Sequence, residues 1–172
     1  GELHPHSDID LLILTENDNE EQQGAIKGFL TLLWDIKLNI GHSVRSLELC
    51  RQVAGEDVAV CTTMMESRLI AGSPILRELM VSAIGTDSVW PSAAFFRSKW
   101  DEQRRRHAKY ADTEYKLEPN VKGSPGGLRD IQTISWIALR HYGTSDPEAL
   151  KALHRDFQHA GSDVMVAFTY NG

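Results

Sequence analysis

The 172-residue chain has no apolar run approaching the roughly 20 residues that a helix needs to cross a bilayer. It has no basic opening followed by an apolar stretch, so no secretory signal peptide is readable. Cysteine is scarce. Cys50 and Cys61 lack the spacing of a zinc site and make no disulfide framework, which predicts a reducing compartment, the cytoplasm. Basic excess is absent too. A net charge of -6 argues against a general nucleic-acid binder, whose contact face is basic, but leaves room for a small phosphate site. There is no internal repeat and no low-complexity linker. The chain also lacks an opening Met. Gly1 leads almost directly into a strand-like run, and the expectation is that further sequence belongs upstream.

What is present reads as a strand, a helix and a strand, then helices. Asp8 to Leu14 (D-I-D-L-L-I-L) predicts a buried strand, bounded by the turn-prone residues Thr15 to Asn19. Glu20 to about Trp34 predicts a helix with Ile26, Phe29, Leu30 and Leu33 on one face. Its acidic start suits the positive end of the helix dipole. Lys37 to Ser46 predicts a second strand, with Gly41 marking a bulge or a close backbone approach. Asp57 is an N-cap for a helix to about Ala71, with Val58, Cys61, Met65 and Leu69 as its apolar stripe. Further helices are expected from Ile75 to Ile84, from Ser92 to about Tyr110, and from Asp130 to His141, the last stopped by Gly143. Ile131, Ile134 and Ile137 give that last helix one apolar side. Glu118 to Gly127 reads as a loop. From Asp146 the chain starts as a helix and ends in a weak apolar stretch, Val164 to Tyr170. Trp34, Trp90, Trp100 and Trp136 read as core packing.

The sharpest chemical feature is Ser7-Asp8-Ile9-Asp10. Residues i and i+2 of a strand point to one face, so Asp8 and Asp10 project together while Ile9, Leu11 and Ile13 share the other. Two carboxylates held this close repel unless a cation lies between them. Oxygen ligands without thiolate or paired imidazole suit Mg2+. Such an ion completes its shell with phosphate oxygens and water. The plainer reading is an exposed D-x-D that caps a turn. Two rival motifs fit less well. His4-Pro5-His6-Ser7-Asp8 begins like the H-x-H-x-D-H zinc signature, but Ile9 stands where a further histidine is required. Haloacid-dehalogenase-like phosphatases carry D-x-D at the end of an apolar strand, whereas here the strand follows the first Asp.

The stretch Gly1-Glu2-Leu3-His4-Pro5-His6-Ser7-Asp8-Ile9-Asp10-Leu11-Leu12-Ile13-Leu14 closely resembles the nucleotidyltransferase motif of the bacterial PII uridylyltransferase/uridylyl-removing enzymes, the GlnD family. Leu33 to Arg45, Glu66 to Gly72 and Lys116 to Gln132 resemble the same family, in the expected order. The resemblance covers roughly the first 145 residues and fades from about Asp146. It implies an α+β chain: a truncated polymerase-β-like nucleotidyltransferase domain followed by a helical domain. The division implied is 1–50 for the C-terminal part of the nucleotidyltransferase core, 51–145 for the helical domain, and 146–172 for a divergent tail.

The resemblance also implies a reaction. UMP passes from UTP to a tyrosine of the PII signal protein, with Mg2+ or Mn2+, and pyrophosphate leaves. Asp8 and Asp10 would be the metal-binding and catalytic carboxylates, and Ser7 a donor to a phosphate oxygen. As a plain turn residue Ser7 would look the same. In the family a Gly-Gly pair precedes the stretch that begins at Gly1. That pair is not in this sequence, so the chain by itself is expected to be inactive or very weak. A third carboxylate is unassigned; Asp35 is one candidate, and a helix-end polar residue is its plain alternative. Adenylyl transfer to glutamine synthetase and a non-catalytic module that docks PII or neighbouring domains remain as alternatives.

Other polar groups have two readings each. Lys122 to Gly127 precedes a helix start and, with Lys122 and Arg129, can hold an anion; a rigid loop with Asp130 as helix cap is preferred. Arg104, Arg105 and Arg106 can meet an acidic partner or phosphate; a solvated helix face is preferred. His107 and His141 read as surface residues.

Overall fold

The computed structural model describes residues 9–16, 19–110 and 120–152. The chain divides into two compact units, Gly1–Ala94 and Phe95–Gly172.

The first unit opens with β1 (Ile9–Leu14), α1 (Glu20–Asp35) and β2 (Ile40–Arg45). β1 and β2 pair in parallel, from Ile9 opposite Ile40 to Leu14 opposite Arg45. Parallel neighbours cannot be joined by a tight turn, and α1 supplies the crossover. Asn19 starts α1 by accepting from the Gln22 N–H at 2.7 Å. At the other end Lys37 takes a left-handed conformation (φ 62°). Its N–H donates to the Trp34 carbonyl at 2.8 Å, and the Leu38 N–H donates to the Leu33 carbonyl at 3.1 Å. This turn uses residues that the sequence pattern assigns to the strand, so β2 begins at Ile40 rather than Lys37. The ladder is continuous and contains no bulge at Gly41.

β1 is half-covered rather than buried. Two strands with one crossover helix cannot enclose both faces, and parallel strands ordinarily need both covered. On α1 the inward residues are Ile26, Leu30 and Leu33, whereas Phe29 is exposed.

Four short α-helical elements follow the sheet in the described residues of 46–110, three of them in this unit alone: α2 (Leu47–Glu56), α3 (Val58–Met65) and α4 (Pro74–Ala83). α2 is a helix where none is expected from the sequence pattern. Ser46 caps it, accepting from the Leu49 N–H at 3.2 Å. Asp57 caps α3 as expected, accepting from the Ala59 N–H at 2.7 Å. α3 stops at Met65, six residues short of Ala71 as predicted. The Ser67 carbonyl instead accepts from the Arg77 guanidinium at 2.8 Å, and Leu69 is exposed. α2 packs on α3 and α4 and touches β2. Cys50, Ala54, Cys61, Met64, Met80, Ile84 and Val89 are buried there. Both cysteines are free thiols. Burial pushes the Cys50 thiol above its ordinary range, with Arg45 pulling the other way.

The fourth of these helices, α5 (Ser92–Ala108), reaches into the second unit, where α6 (Leu128–Tyr142) follows. Gly143 ends α6 in a left-handed conformation, and residues 147–152 are again helical. Phe95 is fully buried, with the Arg140 guanidinium 5.5 Å from its ring centroid. Lys99 is only 2% exposed. Its ammonium bonds Glu102 at 2.7 Å and lies 4.4 Å from the Trp136 ring centroid. α6 therefore turns Thr133, Trp136 and Arg140 inward and leaves Ile131 and Ile134 exposed, opposite to the expected apolar side. The tryptophans divide as well. Trp136 is 4% exposed, Trp90 is half-buried, and Trp34 and Trp100 are 49% and 51% exposed. Trp34 meets His42 edge-on and Trp100 stacks on Phe96.

Candidate metal-binding face of the sheet

Asp10 is the second residue of β1 and is exposed. The register sets it opposite Gly41, with Leu12 opposite Ser43 and Leu14 opposite Arg45. By strand alternation these six residues share one face. The other face carries Leu11 opposite His42 and Ile13 opposite Val44. Trp34 meets His42 edge-on at 5.6 Å, which places the end of α1 on that second face. The Asp10 face is the one without the crossover helix.

The Asp10 carboxylate leans over Gly41. A Cβ built at Gly41 would lie 2.7 Å from Asp10 Oδ1. The close approach expected at Gly41 is thus made by a side chain, not by backbone. No hydrogen bond or ion pair to this carboxylate occurs among the described residues. An open carboxylate in space that a Cβ would fill fits one ligand of a hard divalent cation. Ser7 and Asp8 lie outside the described residues. Asp35 is the exposed last residue of α1. Among the described residues no three His, Cys, Asp or Glu side chains gather in a metal-binding group.

The glycine-rich loop of the second unit uses its amides internally. The Lys122 and Gly123 N–H groups donate to Asn120 Oδ1 at 3.1 and 2.8 Å. Those of Ser124, Gly127, Leu128 and Arg129 donate to loop carbonyls at 2.9–3.0 Å. The Gly126 N–H donates to Asp130 Oδ2 at 2.8 Å. Gly127 allows this fold, because a Cβ there would lie 2.7 Å from the Val121 carbonyl oxygen. With its donors satisfied, the segment is a rigid loop rather than an anion cradle.

Asp130 is also the partner of two residues read as solvent-facing. Arg106 pairs with Asp130, and His107 Nε2 lies 2.9 Å from Oδ2. Both are largely buried, so the expectation that His107 is a surface residue is corrected, as is a fully solvated Arg104–Arg106 face. Arg104 and Arg105 do stay exposed, and so does His141. The sequence signal was available: 106 and 107 follow the inward position 99 by seven and eight residues, two helical turns, and so fall on the stripe that 95 and 99 define.

Among the described residues no helix is long and apolar enough to cross a membrane. Residues 94–157 match the sequence model of the GlnD PII-uridylyltransferase family. Across 151 residues, 87% of this chain, it is 60% identical to the bifunctional uridylyltransferase/uridylyl-removing enzyme of Stutzerimonas stutzeri. The proteins of that name from Pseudomonas aeruginosa and Azotobacter vinelandii are 57% and 59% identical over the same length. The chain spans 17% of the length of each of these relatives. No solved structure matches it. In class the chain is an α+β segment related to bacterial transferases. It is similar to part of the GlnD PII-uridylyltransferase family's proteins.

Proposed function

We propose that this chain is the metal-binding part of a nucleotidyltransferase site, within an enzyme that transfers UMP from UTP to a tyrosine of the PII signal protein. The observation that carries the reading is Asp10: an exposed carboxylate on the face of the β-α-β unit opposite the end of α1, in a chain 60% identical to enzymes named for uridylyl transfer. The fold proposed for the unit is polymerase-β-like, with 1–50 as core, 51–145 as helical domain and 146–172 as tail. Its setting is the cytoplasm.

In this reading Asp8 and Asp10 hold the cation and Ser7 donates to a phosphate oxygen. Bound Mg2+ or Mn2+ supplies orientation of the triphosphate and neutralises charge that builds at the α-phosphate. The tyrosine hydroxyl attacks that phosphorus in line, and pyrophosphate leaves on the opposite side. Uridylyl removal, named for the relatives, is assigned to sequence outside this chain.

Titration of the chain with UTP tests the site. The expected result is Mg2+-dependent binding that Asp8→Asn and Asp10→Asn each abolish. Equal affinity in both variants would favour a docking module without a nucleotide site. Preference for ATP over UTP would favour adenylyl transfer.

A further inference from the structure

Gly41 is the residue directly opposite Asp10. Strand positions favour β-branched and aromatic side chains, and glycine weakens a strand interior. Its presence here therefore runs against local preference. The left-handed backbone that often explains a glycine is not the reason, since Gly41 is not among the positive-φ residues. What the position provides is space. The nearest atom to an added Cβ is Asp10 Oδ1 at 2.7 Å, and the next nearest, Asp10 Cγ and the Ile9 carbonyl oxygen, are both at 3.9 Å. The conflict is thus confined to one carboxylate oxygen.

We propose that Gly41 is a positioning residue for Asp10: by lacking a side chain it lets the carboxylate lie across β2, and so sets the oxygen offered to a divalent cation. The role rests on the reading of Asp10 as a metal ligand. An added methyl is relieved by turning Asp10 to another staggered rotamer. The fold tolerates that turn, because only the end of a side chain moves. A Mg2+-type site does not, since its octahedral geometry demands closely placed oxygens.

The test uses the 172-residue chain, with Mn2+ affinity read by electron paramagnetic resonance and thermal unfolding read without metal. Gly41→Ala is expected to weaken Mn2+ binding about ten- to a hundredfold, the range for groups that orient metal ligands. Its unfolding midpoint is expected to equal or exceed that of the parent chain. Asp10→Asn is expected to abolish binding, and Gly41→Ala added to it to change nothing further. Parental Mn2+ affinity in Gly41→Ala, with Asp10→Asn still abolishing binding, overturns the role of Gly41 and leaves the metal site standing. A Gly41→Ala chain that fails to fold overturns the role as well, because the clash would then not be one that Asp10 relieves. Mn2+ affinity that is indifferent to Asp10→Asn overturns the metal-site reading, and the role of Gly41 with it.

Discussion

Replacing Asp10 with asparagine in a full-length enzyme carrying this segment is expected to slow UMP transfer about a hundred- to a thousandfold. That is the range for removing one preorganised group that stabilises transition-state charge. The substitution preserves size and one oxygen but removes the formal charge. A cation then loses a charged ligand, and Asp10 belongs to no group of three or more His, Cys, Asp or Glu side chains among the described residues. The loss should fall on kcat more than on KM for PII, since Asp10 is proposed to act on the triphosphate and not on the acceptor protein. Uridylyl removal measured on the same preparation should be unchanged, which separates a damaged site from a damaged fold. Transfer within about twofold of the parent rate, a change of under about 0.5 kcal/mol in barrier, would contradict a metal role for Asp10.

Asp130→Ala is expected to cost the second unit about 3 kcal/mol. Asp130 joins three elements of structure: the end of α5 through Arg106 and His107, the glycine-rich loop through the Gly126 N–H, and its own helix α6. Its side chain is 14% exposed, and those of Arg106 and His107 are 16% and 21% exposed. Deleting the acid leaves a mostly buried guanidinium facing an imidazole with no carboxylate between them. Breaking such a pair by removing one partner is costly, because the remaining charge keeps its desolvation penalty. Arg106 Nε already lacks a partner, so the side chain has no spare bond to fall back on. Asp130→Asn keeps an acceptor for Gly126 and should lose less. Urea denaturation followed by circular dichroism checks both; an unchanged midpoint in Asp130→Ala would show that the network contributes nothing net.

The parts of the fold legible in the sequence are those with strong local signals. β1 follows from a β-branched and leucine-rich run, α1 from periodicity with an acidic start, α3 from Asp57 at its start, and α4 from the helical stretch that begins near Ile75. The errors arise where tertiary contacts decide. Lys37 adopts a left-handed turn that no residue preference marks, and it shortens β2. Trp136 and Lys99 form a buried cation–aromatic pair, and that pair rotates α6 away from its isoleucine stripe. Arg106 and His107 look solvated by composition, yet Asp130 draws them in from 24 and 23 positions away. At the candidate site, the expectation that Asp8 shares a face with Asp10 rests on strand alternation, and Asp8 lies outside the described residues. The relation of Asp10 to Gly41 does not follow from alternation, because it depends on the register between two strands and on which way one carboxylate leans.

The central claim is that a divalent cation binds on the Asp10 face of the sheet. Amide spectra of the 15N-labelled chain titrated with Mn2+ test it most directly, since paramagnetic broadening marks the residues around the ion. The account predicts that Ile9, Asp10 and Leu11 broaden first, together with Ile40, Gly41 and His42 across the ladder, and that Asp10→Asn removes the effect. Broadening centred elsewhere, such as the acidic start of α1 at Glu20 and Glu21, and surviving Asp10→Asn would contradict it.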